Sequence, residues 1–359
     1  MAETLETLKA NGRQVREFTI DCMQAGVVPF IQGSPGIGKS AIIKSIAKEY
    51  RLKLIDHRLS TSAPEDLTGL PEFRTSEDGV RKASFAPFDI FPVEGDKIPE
   101  NYDGWLVFLD ELNAAPKSVQ AAAYKLILDR YVGQNKVHQN VVMVAAGNLA
   151  TDRAITNALS TAMQSRLVHI EMELNRAHFM EDVVLSQKWD SRIHAFLSYR
   201  PGAIYDFRPD HNEKTFCCPR TWEFMNRLIQ GKQFTLDEKG YFSMQEKAPL
   251  YQGTITSGTA LEFITFCKVF KELPSFTEII RAPETTPIST DRATQFAVIS
   301  YVIENAKDDN LEKVMIYIGR FSVEFRTMFY RALLIRSPGI RHNPHFRPGL
   351  VQIGQFIHE

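Results

Sequence analysis

Eight consecutive residues near the start of the chain have the types and spacing that suit binding of phosphate groups. They run Gly33-Ser34-Pro35-Gly36-Ile37-Gly38-Lys39-Ser40, with Ala41 next. The glycines let the backbone curl so that its N–H groups face an anion, and a helix beginning near Lys39 adds its positive dipole end. Lys39 supplies a mobile positive charge, and Ser40 supplies a hydroxyl ligand for Mg²⁺. Residues 33–41 are therefore predicted to bind ATP with Mg²⁺.

An acidic pair follows an unbroken apolar run at residues 105–109 (WLVFL). Such a run is typical of a central parallel strand, and ligands bind at the carboxyl edge of open α/β sheets. An Asp-Glu pair alone would suggest only a solvated strand end. Its place behind this strand, after a phosphate-binding segment, favours catalysis. Asp110 is predicted to hold Mg²⁺ through water, and Glu111 to act as the general base that polarises the attacking water.

Asn148 follows another apolar run, at residues 141–146. An asparagine after a glycine is most often a turn residue. At the end of a buried strand, however, its amide can orient a water molecule between Glu111 and the γ-phosphate. We therefore predict that Asn148 takes part in hydrolysis.

Strands and helices alternate in the first half of the chain, which predicts an α/β fold with a parallel sheet covered by helices on both faces. The predicted strands span residues 27–32, 52–58, 105–109, 141–146 and 167–172. The predicted helices span residues 3–25, 39–50, 115–130 and 156–166. Residues 60–104 look like an insertion that contains a hairpin or another inserted element, and a hairpin is also expected around residues 133–135.

Helical periodicity dominates after residue 173. Helices are predicted at residues 176–188, 190–199, 219–230, 258–271, 290–306 and 310–335. Loops or small insertions are expected at residues 200–217 and 235–257, and the last 24 residues are expected to be loop-like. The resulting domain prediction is an α/β core at residues 1–172, an all-α lid at 173–240 and a further helical region at 241–359.

The composition is that of an ordinary globular protein: 359 residues, 44% hydrophobic and 24% charged, with a formal net charge of −1. This charge gives no support to nucleic acid as a partner. The sequence contains no apolar run long enough to span a membrane and no signal-peptide pattern, which predicts a cytoplasmic protein. Its four cysteines are expected to be reduced, and no zinc pattern is found.

These motifs resemble those of an AAA+ ATPase: Walker A at residues 33–40, Walker B at residues 105–111 and a polar sensor at Asn148. Within AAA+, several stretches resemble the MoxR group, a helix-2-insert clade. They are Pro64-Glu65-Asp66-Leu67-Thr68-Gly69, Asp110-Glu111-Leu112-Asn113, Asp129-Arg130-Tyr131-Val132-Gly133 and Ala145-Ala146-Gly147-Asn148. The resemblance covers residues 25–230, and the C-terminal region matches no family that we would name.

The resemblance implies roles for two arginines. Arg166 matches the arginine finger that one subunit inserts into its neighbour's site, although a cation at a helix C-terminus needs no such role. Arg153 is a weaker candidate for the finger. Arg220 looks like the sensor-2 arginine, which reports the γ-phosphate to a lid.

The resemblance also implies a homo-oligomeric ring, usually a hexamer, that remodels a partner protein. In the MoxR group this partner often contains a von Willebrand factor A domain. A nucleic-acid motor or loader is the alternative, and a slowly hydrolysing assembly scaffold is a third possibility that the intact Asp110-Glu111 pair disfavours. The arginines near the C-terminus, Arg331, Arg336, Arg341 and Arg347, could form a phosphate-contacting patch, but we expect a solvated surface. We expect most aromatic residues of the insertion to form a small local core, with one or two left to face a pore. The aromatic residues are Phe73, Phe85, Phe88, Phe91 and Tyr102.

Overall fold

A computed structural model describes residues 8–75, 79–152 and 156–357. The chain divides into two compact units. The α/β unit comprises residues 1–175 and 208–210, and the helical unit comprises residues 176–207 and 211–359. The change in pattern predicted near residue 173 lies close to this division. A separate lid ending near residue 240 stays a prediction.

The α/β unit contains nine strands and five α-helices among its described residues. The strands are β1 (Val28–Gln32), β2 (Leu52–Arg58), β3 (Leu70–Thr75), β4 (Arg81–Ala86), β5 (Gly104–Asp110), β6 (Tyr131–Val132), β7 (Asn135–Lys136), β8 (Val141–Gly147) and β9 (Leu167–Glu171). The helices are α1 (Gly12–Gln24), α2 (Lys39–Glu49), α3 (Pro64–Thr68), α4 (Lys117–Asp129) and α5 (Thr161–Gln164). Short 3₁₀ turns lie at Leu59–Thr61, Leu112–Ala114 and Ala150–Asp152.

Five parallel strands form the central sheet in the order β2-β5-β8-β1-β9. The apolar run in β5 is buried from Gly104 to Leu109, and burial decreases only at Asp110. This pattern is expected of a strand inside a parallel sheet with both faces covered. The α/β fold predicted from the sequence, with helices following the sheet domain, is confirmed.

The predicted insertion contains an antiparallel hairpin, β3–β4, and the second predicted hairpin is β6–β7. The expected local core is wrong for most of the insertion's aromatic residues. Phe91 is buried, but Phe73 is 69% exposed, and Phe85 and Tyr102 are also exposed. The Phe73 ring lies instead under the Arg81 guanidinium, 4.5 Å from its centroid, because a two-stranded hairpin has no second layer to bury its side chains.

Two predicted helices of the α/β unit are shorter in the structure. Helix α1 begins at Gly12 because the extended backbone at Ala10 pairs with the end of β9 and Asn11 caps the helix; residues 3–7 of the prediction lie outside the described residues. The helix predicted at residues 156–166 is only α5, capped by Ser160. The backbone N–H of Asn157 donates to Asn113 O, outside any helix.

Eleven α-helices form the described part of the helical unit. They are α6 (Arg176–Phe179), α7 (Ser191–Tyr199), α8 (Pro219–Ile229), α9 (Ser243–Glu246), α10 (Ala248–Gln252), α11 (Ser257–Lys268), α12 (Phe276–Arg281), α13 (Arg292–Asn305), α14 (Leu311–Gly319), α15 (Val323–Arg336) and α16 (Arg347–Ile357). A π-helical turn, Met180–Leu185, continues α6, and 3₁₀ turns lie at Pro201–Ile204, Val269–Lys271 and Pro338–His342.

Several expectations for the helical unit are wrong. The helix predicted at residues 310–335 is interrupted between α14 and α15, where Phe321 turns into the core and Ser322 adopts an extended N-cap conformation. Residues 235–257, predicted as a loop or a small insertion, contain the short helices α9 and α10. The C-terminal residues form α16, in which Pro348 occupies the first turn, where the missing N–H costs little.

Two of the four arginines expected to be solvated near the C-terminus, Arg331 and Arg336, instead make contacts within this unit, whereas Arg341 and Arg347 are exposed as expected. Arg331 pairs with Glu181 at 2.7 Å, and Arg336 is largely buried and donates to Trp189 O at 3.1 Å. All four cysteines are buried free thiols. Among the described residues, no helix combines the length and hydrophobicity needed to cross a bilayer.

Candidate functional site

The phosphate-binding segment joins the carboxyl end of β1 to the first turn of α2. Gly36 and Gly38 have φ angles of 76° and 104°, conformations that favour glycine over other residues. Lys39 is buried, and its Nζ donates to Gly33 O at 2.5 Å and to Ser34 O at 3.1 Å. The Lys39 amine therefore lies against the backbone of the predicted phosphate-binding segment.

The other residues of this segment differ in their surroundings. Ile37 is buried, whereas Pro35 is half-buried and Ala41 is exposed on α2. Ser34 donates from Oγ to Asp152 Oδ1 at 3.2 Å, which links the segment to the turn after β8. The Ala41 side chain is thus on the solvent side of α2, so a contact between residue 41 and a phosphate would come from its backbone.

Ser40 and Asp110, the two predicted metal ligands, lie close together. Ser40 Oγ lies 3.4 Å from Asp110 Oδ2, although Ser40 is in α2 and Asp110 is the last residue of β5. Burial raises the pKa of Asp110, and the nearby Glu111 carboxylate adds to this effect, whereas the Glu111 backbone N–H that donates to Asp110 Oδ1 opposes it. A hydroxyl and a carboxylate on adjacent elements are oxygen ligands of the kind that Mg²⁺ prefers, so this pair fits the ion.

Glu111 lies at the start of the turn after β5, with a left-handed backbone conformation at φ 57°. Its carboxylate has two partners that we did not predict: Ser60 Oγ donates to Oε2, and Arg58 Nε lies 3.5 Å from Oε1. Arg58 is the last residue of β2, and Ser60 lies in the 3₁₀ turn that follows it. The register of the sheet pairs Arg58 with Asp110, so the order of the strands would have indicated this contact.

Asn148 is within hydrogen-bonding range of the phosphate-binding segment. Lys39 Nζ lies 3.4 Å from Asn148 Oδ1. The sheet explains this proximity, because β8 lies between β1 and β5 and the three strands end at the same edge. The structure thus gathers Lys39, Ser40, Asp110, Glu111 and Asn148 around the ends of three adjacent strands.

The two predicted arginines lie in different units. Arg166 is exposed on the α/β unit, where it donates to Ala162 O at 2.7 Å and contacts Ser165 Oγ at 3.3 Å. Its guanidinium lies 5.1 Å from the centroid of the Tyr124 ring. Arg220 is exposed in the first turn of α8 in the helical unit. Arg153, the weaker finger candidate, lies outside the described residues.

Residues 29–177 match a family model described as an AAA domain of the dynein-related subfamily. The matched region contains the phosphate-binding segment, the Asp110-Glu111 pair, Asn148 and Arg166. This part of the chain is an AAA ATPase domain.

Comparison of the AAA ATPase domain and the rest of the chain with other proteins adds little to this result. A search of curated proteins found no match. A "putative ATPase" from Cytophaga hutchinsonii is similar over 96% of this chain and 88% of its own, with 13% identity and a TM-score of 0.33. NtrX from Brucella abortus is similar over 91% of this chain and 69% of its own, with 15% identity and a TM-score of 0.36. Neither likeness is close enough to bear on function.

Proposed function

We propose that the chain hydrolyses ATP as one subunit of a MoxR-type ring, and that hydrolysis remodels a partner protein. One contrast supports this proposal. Five polar or charged residues of the AAA ATPase domain converge at one sheet edge. Arg166 is exposed on the same unit and, within the described part of the chain, its side chain contacts Ala162, Ser165 and Tyr124. A guanidinium presented to solvent in this way is available to a second subunit.

Each residue at the sheet edge has a role that its contacts support. The backbone of residues 33–41 and the Lys39 amine bind the β- and γ-phosphates. Ser40 and Asp110 hold Mg²⁺, which neutralises charge on the phosphates when bound. Glu111 accepts the proton of the attacking water, and the Asn148 amide holds that water in line with the γ-phosphate. The Arg58 and Ser60 contacts keep the Glu111 carboxylate in a defined position.

The remaining parts of the proposal follow from the resemblance to the MoxR group. Arg166 is the finger donated to the neighbouring subunit, and Arg220 reports the γ-phosphate from the helical unit. The ring is a hexamer, formed by head-to-tail contacts that close. The partner is a protein with a von Willebrand factor A domain, and the cytoplasm is the place of action.

Replacement of the proposed base tests the chemistry. Glu111→Gln keeps the size of the side chain but removes its ability to accept a proton. We expect turnover to fall at least about 100-fold, because a positioned general base contributes that much or more. Affinity for a fluorescent ATP analogue should stay within about twofold, since Glu111 is not assigned to phosphate binding. Glu100→Gln, at an exposed position of the insertion, is the matched control and should leave both quantities unchanged.

The choice of partner class is tested by measuring steady-state ATP turnover with and without single- and double-stranded DNA at low salt. A chain with a net charge of −1 has no overall electrostatic attraction for a polyanion such as DNA. We therefore expect DNA to leave the rate of ATP turnover unchanged. Strong stimulation by DNA would favour the nucleic-acid motor over protein remodelling.

If turnover survives in Glu111→Gln, the assignment of the base is wrong.

A further inference from the structure

Asn113 is a buried polar residue at the site for which motif reading gave no role. It lies in the 3₁₀ turn Leu112–Ala114, two residues after Glu111, and is 6% exposed. Its side chain makes two hydrogen bonds to the backbone of Asn148. The Asn148 N–H donates to Asn113 Oδ1 at 3.1 Å, and Asn113 Nδ2 donates to Asn148 O at 2.7 Å.

The backbone beside Asn148 is shaped to accept this contact. A Cβ atom at Gly147 would lie 2.2 Å from Asn113 Oδ1, far inside the normal contact distance. Only glycine lets the Asn113 amide approach β8 so closely. Gly147 and Asn113 therefore form a matched pair, in which the first residue leaves the space that the second occupies.

Asn113 is itself held from the opposite side by Asn157. The Asn157 backbone N–H donates to Asn113 O at 2.5 Å, and Asn157 Nδ2 donates to Ala115 O at 2.9 Å. Gln120 Nε2 also donates to Ala115 O, at 3.2 Å. The turn that begins with Glu111 is thus fixed on both sides, so Asn113 has little freedom to shift relative to either Glu111 or Asn148.

We propose that Asn113 is a positioning residue for ATP hydrolysis, which holds the Asn148 amide in place relative to Glu111 and Lys39. Asn113 lies in the turn that begins with Glu111, and its side chain hydrogen-bonds to the backbone of Asn148. The Asn148 side chain in turn lies within hydrogen-bonding range of Lys39. A displacement of about 1 Å at a reacting centre can lower the rate about 100-fold. The two hydrogen bonds from Asn113 to the Asn148 backbone therefore affect kcat directly. The inference rests on the proposed role of Asn148 in hydrolysis.

A double-mutant cycle on the full-length chain tests this proposal. Asn113→Ala removes both hydrogen bonds to the Asn148 backbone, and Asn148→Ala removes the side-chain amide that Asn113 is proposed to position. We expect each single change to lower kcat about 10- to 100-fold while the affinity for an ATP analogue stays within about threefold. If Asn113 acts through the Asn148 amide, adding Asn113→Ala to Asn148→Ala should lower kcat by less than about twofold further.

A merely structural role would lower the unfolding temperature of Asn113→Ala but leave its kcat, measured well below that temperature, unchanged. Loss of a buried hydrogen-bonding side chain lowers the unfolding temperature whatever residue stands at position 148, so the loss of stability persists in the double variant. Ser300→Ala, which removes the buried hydroxyl bonded to His194 in the helical unit, is the control for such a loss. It should lower the unfolding temperature and leave kcat, measured well below that temperature, unchanged.

The outcomes separate this inference from the proposed function. If Asn148→Ala lowers kcat but Asn113→Ala does not, or if their effects multiply, Asn113 is not a positioning residue and hydrolysis through Asn148 still stands. If Asn148→Ala leaves kcat unchanged, the role proposed for Asn148 fails, and the inference about Asn113 fails with it. Non-additive effects of the two substitutions on kcat, together with additive effects on stability, would support the positioning role of Asn113.

Discussion

At the scale of single residues, His194 shows how burial sets a charge state in this protein. It lies in α7, 4% exposed, and its Nδ1 lies 2.8 Å from Ser300 Oγ. Burial, and secondarily the nearby Arg336 guanidinium, lowers the pKa of His194 to about 3. In the unfolded chain a histidine has a pKa of about 6.5. Between these two values the unfolded state binds a proton that the folded state rejects, so stability falls as the pH decreases from about 6.5 toward 3.

Removal of this histidine should remove its part of the pH dependence. In His194→Gln, the slope of the unfolding free energy against pH, between about pH 4.5 and 6, should decrease by about 1.4 kcal/mol per pH unit. Urea unfolding followed by tryptophan emission measures this slope. A Trp105→Phe background leaves Trp189 and Trp222, both in the helical unit, as the reporters.

The exposed His342 provides the control for this measurement. His342→Gln makes the same substitution at an exposed position and should keep the slope of the parent chain. An identical slope in His194→Gln and the parent would mean that His194 is protonated in the folded state, contrary to the expected effect of its burial.

The residues of the site differ in how far the sequence could reveal them. Lys39, Ser40 and Asp110 stand in contiguous motifs whose chemistry follows from residue type and order. Arg58 and Ser60 contact Glu111 only because β2 and β5 are neighbours in the sheet. That neighbourhood depends on strand order, which is a property of the whole sheet rather than of any short segment.

At the scale of elements, the strands of the central sheet were easier to predict than several helices. A buried parallel strand is an unbroken apolar run, which the residues themselves display. Helix ends depend on competing contacts instead: α1 starts late because Ala10 pairs with β9, and α5 is short because Asn157 bonds to Asn113. Such pairings join distant parts of the chain, so local periodicity does not contain them.

The β6–β7 hairpin docks onto the insertion through Gly133. This residue has a φ angle of 60°, and a Cβ atom there would lie 2.1 Å from Thr68 O. We expect Gly133→Ala to lower the free energy of unfolding of the α/β unit by roughly 2–4 kcal/mol, because a left-handed conformation costs about 1 kcal/mol and the backbone clash adds to it. Chemical unfolding followed by far-ultraviolet circular dichroism measures the loss.

Gly26→Ala separates the clash from the backbone strain. Gly26 has a φ angle of 70°, and no atom lies within 4 Å of its would-be Cβ. Its alanine variant should therefore lose only about 1 kcal/mol. Equal losses in the two variants would show that the hairpin yields to the extra methyl group without cost, and that the contact with Thr68 is not tight.

At the scale of the whole molecule, the proposal divides each active site between subunits. One subunit supplies the base, Glu111, and its neighbour supplies the finger, Arg166. Neither Arg166→Ala nor Glu111→Gln homo-oligomers should turn over ATP at more than a small fraction of the parent rate, because each lacks one group at every site. A finger donated between subunits, however, predicts recovery when the two variants share a ring.

Mixing the two inactive variants is therefore the sharpest test of the assembly. An interface in which an Arg166→Ala subunit provides Glu111 and a Glu111→Gln subunit provides Arg166 has both groups intact. With random mixing at equal amounts, about one interface in four has this composition, so we expect a rate near a quarter of the parent's if the sites act independently. The two variants are denatured and refolded together, or exchanged at low protein concentration, before turnover is measured.

Arg227→Ala, which changes an exposed arginine of α8 paired with Glu223, is the control and should by itself retain the parent rate. A mixture that contains hetero-oligomers but stays inactive would mean that Arg166 serves its own subunit or has no part in catalysis.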